Sequence, residues 1–193
     1  FICYYKEKNM NVNNDYAKFP KYVYEKVNKI NLEKEYDYIF IGSYKNNIGT
    51  IYNRKWIFDF IKEKFNKNSY LQFTDKETKK NYKIMGDFDF TLKKNSYEST
   101  PKNRLNFDKS YFEKMKKSKF CLCPAGDSIY SVRFYEAIMC KLIPIVSDHV
   151  ETFRSEAESK LDYKYYLSND KNIIYNDEWV DHNYKIFLKY HTL

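Results

Sequence analysis

Arg133 and Glu136 stand one helical turn apart in Ser131-Val-Arg-Phe-Tyr-Glu136, just after a loop holding Gly126, Asp127 and Ser128. A guanidinium presents a planar fork of donors that matches the edge of a phosphate. An ionised carboxylate only accepts, which suits the paired hydroxyls of a ribose or a sugar. With Ser131 at the N-cap, the helix start adds unpaired N–H groups and a partial positive charge, a ready anion site. Gly126 permits close backbone approach, Ser128 or Ser131 can donate from a hydroxyl, and Asp127 can cap the helix or contact sugar hydroxyls. Together these groups suit an anionic, hydroxyl-rich ligand such as a nucleotide sugar. Taken alone, Arg133 and Glu136 also fit a plainer reading, an i,i+3 ion pair stapling the helix for roughly a few tenths of a kcal/mol.

The residues around them predict a βαβ unit. Phe120-Cys-Leu-Cys123 reads as a short buried strand, Ser131 onward as a helix, and Leu142-Ile-Pro-Ile-Val146 as a second buried strand. Such units place ligands where the loop leaves the carboxyl end of the strand. Winding the helix at about 100° per residue puts Phe134, Tyr135, Ile138, Met139 and Leu142 on one broad apolar side. Arg133, Glu136, Ala137 and Cys140 fall on the other, and Ala and Cys there mark a face that is not free surface.

Upstream, Tyr38-Ile-Phe-Ile-Gly42 suits a buried strand, and Arg54 to Phe65 has apolar residues one turn apart, an amphipathic helix. Tyr70–Phe73 follows as a strand. Residues 75–106 read as loops with one short helix, and Asp108 or Ser110 caps a helix running to Lys117. A helix near 21–30, a strand-like start at Phe1–Tyr5, late strand signals at Tyr165–Leu167 and Asn172–Tyr175, and a helix from Asp177 onward complete the pattern. Alternating strands and helices predict a parallel sheet between helices, an α/β Rossmann-like class. No internal repeat is evident. The expected division is an N-terminal segment, residues 1–36, and a nucleotide-sugar-binding domain, residues 37–193.

Three blocks carry a family resemblance: Ser118-Lys-Phe-Cys-Leu-Cys-Pro-Ala-Gly-Asp127, Ser131-Val-Arg-Phe-Tyr-Glu-Ala137 and Ile143-Pro-Ile-Val-Ser-Asp148. In order and spacing they resemble the nucleotide-sugar-binding signature of exostosin-like glycosyltransferases. Ile39-Phe-Ile-Gly-Ser43 followed by Arg54 resembles the strand, glycine turn and arginine that open the same domain. The resemblance implies the donor-binding half of a GT-B type enzyme, with residues 1–36 a remnant of a preceding acceptor domain. It implies inverting transfer from a nucleoside diphosphate sugar to a hydroxyl of a glycan or protein acceptor, with no tightly bound metal and no other cofactor. Donor contacts then fall on Arg133, Glu136, Ser131, Gly126, Asp127, Ser128, Gly42 and Arg54, and the general base on the acceptor domain. For Gly42 a plain tight turn, and for Arg54 a structural salt bridge, remain equally good readings. Lys141 stands where the family has glycine, so the turn after the helix must close without one.

Composition bounds the alternatives. The 193 residues carry 21 Tyr and 15 Phe against 4 Gly and 4 Pro, with 43% hydrophobic residues, too apolar for a disordered chain. The abundance of Lys, Asn, Tyr, Ile and Phe points to A/T-rich codons. The net charge of +8 is spread among Asn and Glu as on solvated faces. Its densest patch, Lys114, Lys116, Lys117 and Lys119, is a candidate for steering a diphosphate. A basic nucleic-acid-binding domain has no motif to support it, and nucleic acid is not an expected partner. A nucleotide- or glycan-binding module without turnover is the closer alternative.

Cys121, Cys123 and Cys140 lie in apolar runs, and the histidines (His149, His182, His191) are dispersed, so structural thiols are expected over a metal site. Reduced cysteines, no secretory signal and no run approaching about 18 apolar residues suggest a cytoplasmic chain without a membrane span. It begins at Phe1, so an anchor or whole domain upstream is an open expectation.

Overall fold

The computed structural model describes residues 15–42, 54–73, 107–125, 130–148 and 152–193. The expected strand at Phe1–Tyr5, the 75–106 stretch, Ser43, His149 and the site candidates Gly126, Asp127 and Ser128 lie outside the described residues.

Among the described residues, five parallel strands form one sheet: β1 (Tyr36–Gly42), β2 (Tyr70–Phe73), β3 (Ser118–Leu122), β4 (Ile143–Val146) and β5 (Tyr166–Leu167), in the order β2-β1-β3-β4-β5. The helices are α1 (Lys21–Asn28), α2 (Lys55–Lys64), α3 (Lys109–Lys116), α4 (Val132–Met139), α5 (Glu156–Ser159) and α6 (Asp177–Tyr190). This is the Rossmann-like α/β arrangement expected from the alternation. Asn172–Tyr175, by contrast, forms no strand.

Period-two alternation splits the sheet's side chains between two cores. Ile39, Cys121 and Cys123 pack with α1, α3, α4 and Phe187 of α6. Phe40, Leu71, Phe73, Phe120, Leu122, Ile143 and Ile145 pack with α2 and Val180 of α6. Ala17, Phe19, Val23 and Val27 belong to the first core, so part of the expected N-terminal segment packs within this body. A parallel bridge from Phe19 to Thr192 ties that segment to the end of α6.

Two local details show how the βαβ unit closes. Lys141 adopts φ 61°, the left-handed region that favours glycine. Its N–H donates to Ile138 O, and Leu142 N–H donates to Ala137 O, both at 2.9 Å, the paired bonds of a Schellman motif. The glycine-type turn therefore forms with lysine in it, at a conformational cost of about 1 kcal/mol. Pro144 sits inside β4, where a missing donor usually disrupts a ladder. Val146 O accepts from Ser168 N, and Ile145 O accepts from Cys123 N, so Pro144 faces the β5 side. Pairing with β5 starts only at Ile145↔Tyr166, and no ladder bond is lost.

Chain order reverses at β1, which is flanked by β2 on one side and β3 on the other. In open α/β sheets the crevice at the carboxyl ends of such strands is the ligand position.

Candidate functional site

The helices that follow β1 and β3 both begin at that carboxyl edge. α2 starts after Arg54 and α4 after Ser131; neither N-cap makes a side-chain capping bond, and neither first turn holds an acid. α1, which follows Pro20, is likewise without a side-chain cap, whereas Asp108 accepts from Tyr111 N at the start of α3 and Asn176 from Trp179 N at the start of α6. The dipoles of both helices direct their positive ends to the switch point.

Arg133 leaves the first turn of α4 and crosses the end of the sheet. Its Cζ stands 5.5 Å from the centre of the Phe40 ring. A Cβ on Gly42 would come within 3.2 Å of Arg133 Nη2 and 3.3 Å of Nη1. Phe40 and Gly42 face the α2 side, whereas α4 packs on the other, so the guanidinium lies over the carboxyl end of β1. Gly42 has a use here that no turn requires: without a side chain it leaves room for this cation. Among the described residues the Arg133 side chain has no hydrogen-bond or ion-pair partner, and its Nε is buried and unsatisfied. The stapling ion pair with Glu136 is not formed.

Glu136, on the next turn of α4, is only 3% exposed. Its Oε2 accepts from the Tyr111 hydroxyl at 2.7 Å. Burial raises the Glu136 carboxyl above the usual range, with the Tyr111 hydrogen bond and Arg133 acting against it. Burial also holds the Tyr111 phenol well above its ordinary value, so it remains a donor.

Arg54 joins the start of α2 to the loop after β3, its Nε donating to Ala125 O at 2.8 Å across 71 residues of sequence. The contact is to a carbonyl oxygen and steadies the loop that leads to Gly126. Ser131 occupies the N-cap of α4 with its backbone extended (φ −115°, ψ 122°) and its side chain uninvolved in capping. Asp148 follows β4 at the same edge, where its carboxylate accepts from Ser168 Oγ at 2.9 Å. Ser131, Arg133, Gly42 and Arg54 thus come to one edge, with Glu136 one turn deeper.

The basic patch goes elsewhere. Lys117 pairs with Glu35 at 2.7 Å and Lys119 with Asp37 at 2.9 Å, at the amino ends of β1 and β3, far from the switch point. Lys114 donates to Gln72 and lies 5.2 Å over the Tyr70 ring. Cys121, Cys123 and Cys140 are free and buried, Cys121 against Met115 Sδ. Sequence reasoning missed Tyr111 and Phe40: in a chain with 21 Tyr and 15 Phe, one more aromatic in an apolar stripe carries no signal.

The parallel sheet flanked by helices is a Rossmann-like arrangement consistent with a GT-B-type domain. The Exostosin GT47 domain matches residues 53–166, more than half of the chain, and the chain belongs to that glycosyltransferase family. No curated protein matches it. Among the described residues, no helix is long and apolar enough to cross a membrane.

Proposed function

We propose that this chain forms the donor-binding half of an inverting glycosyltransferase, with a nucleoside diphosphate sugar as donor and a glycan or protein hydroxyl as acceptor. One observation supports this above the rest: a guanidinium with no hydrogen-bond or ion-pair partner among the described residues, laid over the carboxyl end of β1 beside the start of α4. An isolated cation in a half-buried site is costly unless an anion completes it. A diphosphate supplies the missing charge, and its planar O–P–O edge suits bidentate contact.

In the proposed reaction the acceptor oxygen bonds to the anomeric carbon on the face opposite the diphosphate. The bond from that carbon to the β-phosphate oxygen breaks, and the electron pair leaves with the nucleoside diphosphate. Arg133 and the α4 amides stabilise that developing charge. The acceptor proton passes to a base supplied by the acceptor domain. Ser131 with Gly126, Asp127 and Ser128 is assigned to the diphosphate side, and Glu136, buried behind the helix start against the Tyr111 hydroxyl, supports that side without touching the ribose. No tightly bound metal is required by this set, because the cation is the guanidinium.

Calorimetric titration of Arg133→Ala with a nucleoside diphosphate tests the reading. Binding is expected to vanish while the unfolding transition is retained; wild-type affinity would refute it.

A further inference from the structure

Arg133 and Glu136 are an i,i+3 pair of opposite charges, close enough on a helix to meet, yet in this protein they do not. Glu136 is instead held through Oε2 by the Tyr111 hydroxyl, 25 residues away on α3, at 2.7 Å. Arg133 has no hydrogen-bond or ion-pair partner among the described residues, and its Nε is buried without one. We propose that Tyr111 is a positioning residue that holds the Glu136 carboxylate away from Arg133 and so keeps the guanidinium free for the donor diphosphate.

The surroundings make this restraint necessary. Glu136 is nearly inaccessible to water, so a carboxylate there needs a hydrogen-bonding or charged partner. The Tyr111 hydroxyl is the one hydrogen-bond donor the described residues give its side chain. Remove it, and Arg133, one turn back on the same helix, is the next positive group within reach. The ion pair that would form satisfies Glu136 and closes the diphosphate site. Tyr111 is well placed to prevent this, because its own backbone N–H is fixed by the Asp108 cap at 3.0 Å and its ring is 4% exposed. The hydroxyl is therefore aimed by a rigid helix start.

The inference rests on the diphosphate reading above, and its test separates the two. Inorganic diphosphate is the probe, because it engages the arginine without involving a ribose. Tyr111→Phe keeps the ring and removes only the donor. Its affinity for inorganic diphosphate is expected to fall about tenfold, the factor for a paired Arg133 favoured roughly ten to one. The loss should disappear in the Glu136→Gln background, where no ion pair can form, so the double variant binds as Glu136→Gln does. A merely structural role for Tyr111 would produce the same loss in both backgrounds, and that result overturns the inference. Wild-type binding by Tyr111→Phe, while Arg133→Ala binds nothing, also overturns it and leaves the diphosphate reading standing. Wild-type binding by Arg133→Ala would remove both.

Discussion

Glu136 and Glu158 are both buried carboxylates that accept a hydrogen bond from a tyrosine hydroxyl, and their surroundings then diverge. Glu158 accepts from Tyr135 Oη, from Ala17 N at 2.6 Å and from Arg154 N at 2.9 Å, so one side chain ties the N-terminal segment to α4 and to the turn before α5. Among the described residues Glu136 accepts from Tyr111 alone, and the arginine beside it has no hydrogen-bond or ion-pair partner. One region is saturated and the other is left incomplete. The His191 Nε2 and the Tyr163 hydroxyl also lack hydrogen-bond partners among the described residues, but both sit among packed rings rather than at a strand end. Saturation of a buried charge serves the fold; an unmatched one at a topological switch point fits the ligand-binding role proposed for Arg133.

This contrast can be broken most readily at Glu158. Glu158→Ala removes the acceptor of two buried donors and one part-buried donor at once and is expected to destabilise the protein by about 3–5 kcal/mol in urea unfolding. A loss below about 1 kcal/mol would show that saturation there is incidental. Next comes acid lability at the same anchor. His191 is fully buried, lies 2.7 Å by Nδ1 from Ala17 O, and is pulled down to about 4 by burial, from an ordinary 6.5. Between those values the unfolded chain binds a proton that the native state does not. Stability therefore falls as pH drops through that window, by on the order of 3 kcal/mol in all. Unfolding free energies from pH 7 to 4 should show this slope, and His191→Gln should flatten it; an unchanged slope would assign it to other groups.

The smallest expected effect lies on the incomplete side. Gly42→Ala brings a methyl within 3.2 Å of Arg133 Nη2 and of Phe40 Cζ, and the flexible guanidinium can yield by a few tenths of an ångström. Stability should change by less than about 1 kcal/mol, whereas affinity for diphosphate should fall roughly threefold to tenfold because the cation has moved. A large stability loss with unchanged affinity would reverse the distinction between the two regions.

Much of the fold was legible because it depends on local pattern. Apolar periodicity in Trp56, Ile57, Phe60 and Ile61 marks α2 to within a residue, and Asp108 announces the start of α3. The short apolar runs at Tyr38–Gly42 and Tyr70–Phe73 become β1 and β2. Other readings needed three dimensions. The lysines around 114–119 look like a phosphate-steering patch until strand direction puts Lys117 and Lys119 at the opposite end of the sheet, already paired. Lys141 looks like an obstacle to the turn until its left-handed backbone shows the turn formed regardless.

Residue order alone determined the parallel class, the helix after β3 and the presence of Arg133 in its first turn, since propensity, capping and period act within a few residues. Only the tertiary structure decided which charges meet. Whether Glu136 pairs with Arg133 or with a tyrosine 25 residues away depends on how α3 packs beside α4, and no local rule contains that distance.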